Sequence, residues 1–311
     1  MTSIPALYSI FQKHPLISTD SRQLSARCIF FALKEGSVDG NQFADQALKN
    51  GADFAVIDNP AYHTNERCLL VPDVLKALQQ LANYHRRQFE IPVIAIAGSK
   101  GKTITQKLIS SILSAHYPCH FTKGNLSNHL GVPLTLLSMP RDTEVAILEM
   151  DSNKPGDIEV LCKIVQPTHG LVTDTGEGRR KGFENFAELN SDHLELFDYL
   201  AQNHGCAFVN LTEYQAPVSS EKAAMHVGYR RCETLRPDTG IIEIQWLADN
   251  PFIRAAFLSD DGPRIEITTQ FCEDQSFQYV MAAMALGIYF KVPAERIKEV
   301  LENYSAKNSS S

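Results

Sequence analysis

The stretch IAGSKGKTITQKLI, residues 96–109, predicts a loop that binds phosphate and runs directly into a helix. It continues a short apolar run, VIAIA, that is typical of a buried strand. Glycines let backbone N–H groups close around a phosphate, and the positive end of a helix dipole favours the same anion. The order of strand, glycine-rich loop and helix therefore predicts a nucleotide-binding loop.

The loop ends in the Gly-Lys-Thr of a Walker A motif, in which the lysine reaches the terminal phosphates and the threonine hydroxyl ligates Mg²⁺. The full motif has a glycine five positions before Gly101, where this chain has Ile96. The match to a general P-loop is therefore incomplete, and a Gly/Lys-rich turn without a ligand is the alternative. We expect the phosphate to be held by the consecutive residues Gly98, Ser99, Lys100, Gly101, Lys102 and Thr103.

Length and charge narrow the class of protein. The chain has 311 residues, of which 44% are hydrophobic, and this is enough for more than one buried core. Its net charge is −7, its pI is near 5.8, and its basic residues form no long block. This balance argues against a protein that binds nucleic acid or a membrane surface through bulk charge. It is compatible with a small anionic ligand in a local site.

The cysteines and the apolar runs indicate the compartment. The seven cysteines are scattered and contain no CxxC pair, so we expect reduced thiols and no structural zinc site. The N-terminus lacks the basic start and apolar core of a signal peptide. The longest apolar run, YVMAAMALGIYF, is too short to span a bilayer. These features predict a soluble, cytoplasmic protein with no membrane span and no nucleic-acid partner.

Alternating strand and helix patterns predict an α/β protein of two domains, residues 1–90 and 91–304, followed by a frayed polar tail at 305–311. In the second domain the alternation predicts a mostly parallel sheet that binds ligands at the carboxyl ends of its strands. Residues 219–268 are predicted to form antiparallel strands. The other expected elements are helices at 43–50, 74–89, 192–203 and 277–290 and strands at 28–33, 54–58, 68–71, 93–98, 145–150, 169–174 and 206–211.

Longer segments resemble one family of ligases, the Mur ligases, whose central domains carry the compressed loop GxxGKTxT. STDSRQLSARCIFFALKEGSVDGNQFADQAL (residues 18–48) resembles the N-terminal domain of the MurF type. GNLSNHLGVPLTLL (124–137) and LEMDSNKPGDI (148–158) resemble a substrate-contacting stretch and an acidic strand-end motif of the central domain. ENYSAKNSSS (302–311) resembles the last helix of that domain. The resemblance implies a small N-terminal α/β domain that binds a UDP-sugar and a central P-loop ATPase-like domain.

The resemblance also implies a reaction. ATP phosphorylates a peptide carboxylate, and an incoming amine displaces the phosphate to form an amide. In the MurF type the carboxylate belongs to a UDP-N-acetylmuramoyl tripeptide of peptidoglycan synthesis, and the amine belongs to D-alanyl-D-alanine. Two Mg²⁺ ions hold the phosphates and neutralise the developing charge. ATP, Mg²⁺ and a UDP-muramoyl peptide are therefore the expected ligands, and no particular protein partner is implied.

By the same resemblance, roles are carried over to individual positions. Thr103 and Glu149 would hold the first Mg²⁺. The UDP-sugar would be contacted by Ser21, Arg22, Asn125, Asn128 and His129. Each assignment has a structural alternative: Ser21 and Arg22 as turn residues, Glu149 as a structural carboxylate and His129 as a hydrogen-bonded helix histidine.

Four positions around the second metal and the adenine depart from the family pattern, in addition to Lys100 and Ala97 in the loop. The family's TNxGxAHxEGF reads TDTGEGRRKGF here, with Asp174 in place of the asparagine and Arg179 in place of the metal-side histidine. His193 aligns with a lysine that is carbamylated in the family, and Tyr279 aligns with an adenine-side asparagine. Arginine is a permanent cation, and imidazole forms no stable carbamate. The second Mg²⁺ site is therefore expected to lose an anionic ligand and gain a positive charge.

Two functional hypotheses follow. The family has a third domain after the central one, which needs on the order of 100 residues, and only a short tail follows the central domain here. We expect a MurF-like protein that binds a nucleotide without ligating; the alternative is the first two domains of a working ligase. An unrelated P-loop NTPase would leave the similarity of residues 18–48 unexplained. A folate-type ligase would not be expected to carry their TDSR segment.

Overall fold

The computed structural model describes residues 1–173, 194–212, 225–237, 240–248, 251–259, 262–272 and 276–304. The chain forms two compact units. Unit 1 consists of Met1–Glu90, Lys123–Pro140 and Lys163–Gln166, and unit 2 of Ile91–Thr122, Arg141–Cys162 and Pro167–Ser311. The functional assignment of residues 1–90, 91–304 and 305–311 stays a prediction.

The helices and strands of the described residues are as follows. The helices are α1 (Ile4–Phe11), α2 (Ala44–Lys49), α3 (Val74–Arg86), α4 (Lys102–Ser114), α5 (Gly131–Leu137), α6 (Asp157–Val165), α7 (Glu195–Gln202), α8 (Phe277–Tyr289) and α9 (Ala294–Asn303). The strands are β1 (Ile17–Ser18), β2 (Ile29–Phe31), β3 (Lys34–Glu35), β4 (Val38–Asp39), β5 (Phe54–Ile57), β6 (Cys68–Leu70), β7 (Val93–Ala97), β8 (Cys119–Phe121), β9 (Val145–Glu149), β10 (His169–Val172), β11 (Cys206–Asn210), β12 (Met225–Cys232), β13 (Ile242–Ala248), β14 (Arg254–Leu258) and β15 (Arg264–Thr268).

Unit 1 is built on a small parallel sheet with the strand order β1-β2-β5-β6. The strands are short apolar runs, and the three residues of β2 are fully buried. Helix α3 has an apolar face that packs on α1 and α5, and it begins at the Asp73 cap, whose carboxylate accepts from the Lys76 N–H at 2.8 Å. An antiparallel hairpin, β3-β4, lies outside the sheet.

Unit 2 contains a sheet with the order β15-β14-β13-β12-β11-β10-β7-β9-β8. Every neighbouring pair from β8 to β13 is parallel, and β14 and β15 are antiparallel additions at one edge. The predicted α/β class with a mostly parallel sheet is confirmed. The prediction that residues 219–268 form antiparallel strands is wrong for β12, which pairs in parallel register with both β11 and β13. It is confirmed for the pairings of β13 with β14 and of β14 with β15.

Helices α4 and α8 pack side by side in the core of unit 2. Tyr279, in the first turn of α8, lies against Gly101 at the start of α4. Further along, Gly287 lies so close to Ile112 that a Cβ on Gly287 would be 2.7 Å from the Ile112 Cγ2. The two helices therefore run in the same direction, and both begin beside the loop that follows β7. No helix in the described part of the chain is long and apolar enough to cross a membrane.

Candidate functional site

The loop after β7 depends on two glycines. Gly98 has φ 134° and Gly101 has φ 81°, both in the region that favours glycine. A Cβ on Gly98 would be 2.2 Å from the Thr173 Oγ1, and a Cβ on Gly101 would be 2.1 Å from the Tyr279 Cε1. The Thr173 hydroxyl also donates to the Lys100 carbonyl at 2.7 Å. Backbone conformation and close approach therefore both require glycine at these two positions.

Lys102 is the first residue of α4, directly after the loop. Its Nζ donates to the Gly98 carbonyl at 2.5 Å and forms an ion pair with the Asp151 Oδ1 at 3.0 Å. The side chain of Lys102 is only 14% exposed, whereas that of Asp151 is 41% exposed. The ammonium is thus folded back over the loop, beside the helix terminus that attracts anions. This position suits a side chain that grips a phosphate.

Thr103 and Glu149 form the second part of the site. The Thr103 hydroxyl donates to the Glu149 Oε2 at 3.0 Å, and Glu149 is the last residue of β9, which pairs with β7. Burial raises the pKa of the Glu149 carboxyl, while the hydrogen bond from Thr103 acts in the opposite direction. The neighbouring Asp151 carboxylate raises that pKa further, whereas the Lys102 and Lys107 ammonium groups lower it.

These residues fit a magnesium ion. Mg²⁺ prefers oxygen ligands, keeps several waters, and is usually bound through one or two carboxylates together with substrate phosphates. The Thr103 hydroxyl and the Glu149 carboxylate are such ligands, and they already touch each other. Within the described ranges there is no cluster of three or more His, Cys, Asp or Glu side chains able to hold a metal. A metal at this position would therefore rely on nucleotide and water oxygens as well.

The predicted UDP-sugar residues lie on two loops of unit 1. Ser21 and Arg22 are turn residues, and the exposed Arg22 guanidinium makes two hydrogen bonds to Asp20, at 3.0 and 2.9 Å. The hydrogen bonds from Arg22 lower the pKa of the Asp20 carboxyl. The turn is therefore held by an internal ion pair that leaves the Arg22 side chain, 87% exposed, in contact with solvent.

The other three predicted UDP-sugar residues precede α5. The Asn128 Oδ1 accepts from the Leu130 N–H at 3.0 Å and the Gly131 N–H at 2.8 Å, so its side chain caps the helix. Asn125 and His129 are exposed, and the His129 carbonyl accepts from the Gln79 side chain at 3.0 Å. Among the described residues no hydrogen bond joins this loop to Ser21 or Arg22, and their shared binding role stays a prediction.

Three of the four positions that depart from the family pattern, Asp174, Arg179 and His193, lie outside the described residues. The fourth, Tyr279, lies against the loop at Gly101. Sequence reasoning did not assign Asp151 or Thr173, which contact Lys102 and the loop backbone. Asp151 belongs to the stretch LEMDSNKPGDI and Thr173 to the stretch TDTGEGRRKGF, and both follow strand ends. Their position directly after a parallel strand is the signal that could have identified them, because ligands bind at the carboxyl ends of such strands.

Comparison with protein families and curated proteins gives consistent matches. Residues 96–241 match the Mur ligase middle domain, and residues 15–86 match the Mur ligase family, catalytic domain. The UDP-N-acetylmuramoyl-tripeptide–D-alanyl-D-alanine ligase of Bacillus subtilis is 35% identical over 288 residues, which are 90% of this chain and 59% of that protein. The enzyme of the same name from Haemophilus influenzae is 28% identical, over 93% of this chain and 63% of its own length.

Solved structures match as well. MurF from Acinetobacter baumannii has a TM-score of 0.73 at 28% identity, over 93% of this chain and 63% of its own. A MurF ligase from Thermotoga maritima in complex with ADP has a TM-score of 0.74 at 20% identity, over 91% of this chain and 65% of its own, which shows a shared fold. The chain thus spans about three fifths of the length of the curated relatives that match along most of it, 59% and 63%.

Proposed function

Because this chain belongs to the Mur ligase family, we propose that it binds the nucleotide and the UDP-muramoyl substrate of the reaction after which its relatives are named, the joining of D-alanyl-D-alanine to a UDP-N-acetylmuramoyl tripeptide in peptidoglycan synthesis. The observation that carries the proposal is the arrangement of Lys102, Thr103 and Glu149 around a glycine loop at the start of α4. Such an arrangement binds the phosphates of a nucleotide together with a divalent cation.

In this proposal the nucleotide is ATP, and each loop residue has a separate task. The backbone N–H groups of residues 98–103 surround the phosphates, and the Lys102 ammonium turns from the Gly98 carbonyl and Asp151 towards them. Asp151 lies beside the ammonium, at 3.0 Å, and its negative charge keeps the ammonium near the loop. Thr103 and Glu149 hold Mg²⁺, which supplies positive charge to the phosphates when bound.

The UDP-muramoyl peptide is the proposed second ligand, held by Ser21, Arg22, Asn125, Asn128 and His129. Arg22 suits a diphosphate because its guanidinium is exposed and presents several donors in a plane. On binding, the Arg22 guanidinium would replace its hydrogen bonds to the Asp20 carboxylate with hydrogen bonds to phosphate oxygens. The capping role of Asn128 leaves its amide N–H₂ group as the part that can contact a ligand.

We further infer that ligation by this chain is impaired while nucleotide binding is retained. The inference rests on the sequence alone, at Arg179 and His193, where the family pattern has a metal-side histidine and a carbamylated lysine. A second Mg²⁺ beside Arg179 would meet a permanent positive charge instead of a neutral ligand. In this proposal the arginine would instead act as a fixed cation on the γ-phosphate, which would preserve nucleotide binding without orienting the acyl acceptor. The cytoplasmic location and the identity of any protein partner stay predictions.

Calorimetry followed by a phosphate-release assay tests the proposal. The chain should bind ATP, more tightly with Mg²⁺ than without it, and should bind a UDP-muramoyl peptide. Phosphate release should not respond to the combined addition of UDP-muramoyl tripeptide and D-alanyl-D-alanine. If neither nucleotide nor UDP-sugar binds, the proposed function is wrong. If release depends on both substrates, the chain is an active ligase and the impairment is wrong.

A double variant tests the cause of the impairment. Arg179→His together with His193→Lys restores the family residues at both positions, so Mg²⁺-dependent ATP affinity should rise. An unchanged Mg²⁺ dependence would contradict the assignment of these two residues to the metal side of the site. The conservative variant Arg179→Lys, which keeps the positive charge, is the matched control and should leave the Mg²⁺ dependence as it is.

A further inference from the structure

Tyr279 lies on the phosphate loop itself. A Cβ built on Gly101 would be 2.1 Å from the Tyr279 Cε1, 2.5 Å from its Cζ and 2.8 Å from its hydroxyl oxygen. The half of the ring that carries the hydroxyl therefore covers the Gly101 backbone, immediately before the first turn of α4. The first residue of α4 is Lys102, the lysine that we assign to phosphate binding.

The Tyr279 hydroxyl has no hydrogen bond within the described part of the chain. The polar groups of the neighbouring loop, in contrast, are hydrogen-bonded to one another. Lys102 contacts the Gly98 carbonyl and Asp151, Thr103 donates to Glu149, and Thr173 donates to the Lys100 carbonyl. Tyr279 is only partly buried, so a ligand can reach its hydroxyl. A phenol in this position is a donor available to a ligand at the loop.

The surroundings of this hydroxyl favour an anionic acceptor. Helices α4 and α8 run in the same direction and both begin here, so the positive ends of two helix dipoles lie beside the ring. Helix α4 starts at Lys102 and has no side-chain cap, so its first N–H groups are available to an anion. A phosphate bound to them would lie next to Gly101, and hence next to the phenol that covers it.

We propose that Tyr279 is a phosphate-contacting residue of the nucleotide site, whose hydroxyl donates a hydrogen bond to the phosphate chain while its ring supports Gly101 in its left-handed conformation. This assignment rests on the proposed nucleotide binding and deepens it. The hydrogen bond from Tyr279 is independent of the base, because its acceptor is a phosphate oxygen. A phosphate chain without base or ribose therefore gains from the hydroxyl as much as ATP does.

Calorimetry with two probes, ATP and inorganic tripolyphosphate, each with Mg²⁺, tests this assignment on the full chain. Tyr279→Phe removes the hydroxyl and keeps the ring on Gly101, so the melting temperature should not change. Loss of a hydrogen bond to a charged acceptor should weaken binding of both probes by the same factor, roughly tenfold. The matched control is Tyr62→Phe in unit 1, a partly buried tyrosine away from the loop, which should bind both probes like the parent.

The outcomes separate this inference from the proposed function. Equal affinities of the parent and Tyr279→Phe for both probes would overturn the phosphate contact and leave nucleotide binding intact. A loss for ATP alone would overturn it too, because the hydroxyl would then contact the base or the ribose. If the parent itself binds neither probe, the proposed function fails, and the assignment of Tyr279 fails with it.

Discussion

At the residue scale, the site consists of polar groups that form ion pairs and hydrogen bonds with one another in the absence of a ligand. The Lys102 ammonium is paired with Asp151 at 3.0 Å, and the Thr103 hydroxyl is paired with Glu149 at the same distance. These contacts keep buried or half-buried polar atoms satisfied, which limits the cost of assembling the site in the fold. A nucleotide has to replace them with contacts of its own, so the proposed affinity is a difference between two sets of hydrogen bonds.

Lys102→Ala should weaken ATP binding by roughly tenfold to a hundredfold, because a charge-assisted contact to phosphate contributes about 1.5–3 kcal/mol. Calorimetry with and without Mg²⁺ measures the change. Lys76→Ala, on the exposed face of α3, is the matched control and should bind like the parent. Equal affinities of Lys102→Ala and the parent would rule out a phosphate-gripping role for this lysine.

His169 gives unit 2 a pH-dependent stability. Its ring packs against Tyr289 and Phe290, with centroids 5.6 and 5.1 Å away, and its Nδ1 is 2.8 Å from the Thr168 hydroxyl. Burial lowers the pKa of His169 from 6.5 to about 4. Because the folded pKa is below the unfolded one, the unfolded chain takes up the proton first as the pH falls. The stabilisation is complete above about pH 6.5 and is lost as the pH falls towards 4.

Urea unfolding between pH 7 and pH 4 should therefore show a fall in the free energy of unfolding, of which on the order of 3 kcal/mol depends on His169. His169→Phe keeps an aromatic ring in this cluster and removes the titration, so its stability should change less over the same pH range. His63→Gln removes an exposed histidine and should retain the parent's dependence. If His169→Phe and the parent lose the same stability on acidification, the assignment is wrong.

At the scale of elements, Arg86 joins helix α3 to the segment 163–166 within unit 1. The buried guanidinium donates to the Val165 carbonyl at 3.0 Å, the Gln166 carbonyl at 3.2 Å and the Phe89 carbonyl at 2.7 Å. Asn83, one turn earlier on α3, donates to the carbonyls of residues 163 and 164 at 3.0 and 2.9 Å. Backbone carbonyls at the end of α6, which have no partner inside their helix, are satisfied from α3.

Arg86→Met should lower the free energy of unfolding by about 3 kcal/mol, because it keeps the aliphatic length while leaving buried carbonyls without their donor. Arg87→Met changes the adjacent, exposed arginine and serves as the control, with an expected change within about 0.5 kcal/mol. Denaturant unfolding of both variants measures the difference. Equal effects of the two substitutions would show that the carbonyl contacts of Arg86 add nothing to stability.

At the scale of the whole molecule, each unit has its own core, and the cysteines belong mostly to those cores. All seven are free thiols; Cys28, Cys68, Cys162 and Cys206 are buried, Cys119 and Cys232 are partly buried, and Cys272 is exposed. Burial, with added repulsion from Glu195 and Glu159, raises the pKa of the Cys162 thiol to about 12. Because the thiolate is the reactive form, a buried thiol with a raised pKa reacts slowly.

Thiol labelling of the native chain, followed by peptide mass spectrometry, should therefore modify Cys272 first and leave the four buried cysteines unmodified. All seven should react once the chain is denatured, without prior reduction, since none forms a disulfide. Cys272→Ser should remove the fast phase of labelling and leave the slow phase as it is. Rapid modification of Cys162 in the native chain would contradict its buried position.

The sequence by itself determined the elements whose signals are local. VIAIA followed by GSKGKT predicted a strand, a loop and a helix, and β7 and α4 follow that order because apolar runs, glycines and helix formers act within a few residues. The expected helices at 74–89 and 277–290 are present as α3 and α8 with slightly earlier ends. The family resemblance extended this reading to Glu149, which the hydrogen bond from Thr103 brings to the loop.

Only the tertiary structure decided which distant residues meet. β12 and β13 have strand-forming patterns that are the same in parallel and antiparallel sheets, so their parallel register depended on the neighbours available at the edge of β11. The ion pair of Lys102 with Asp151 and the position of Tyr279 on Gly101 join residues that are far apart in the chain. Local preference carries no information about such pairs, because they form only when strand ends and helix starts are packed together.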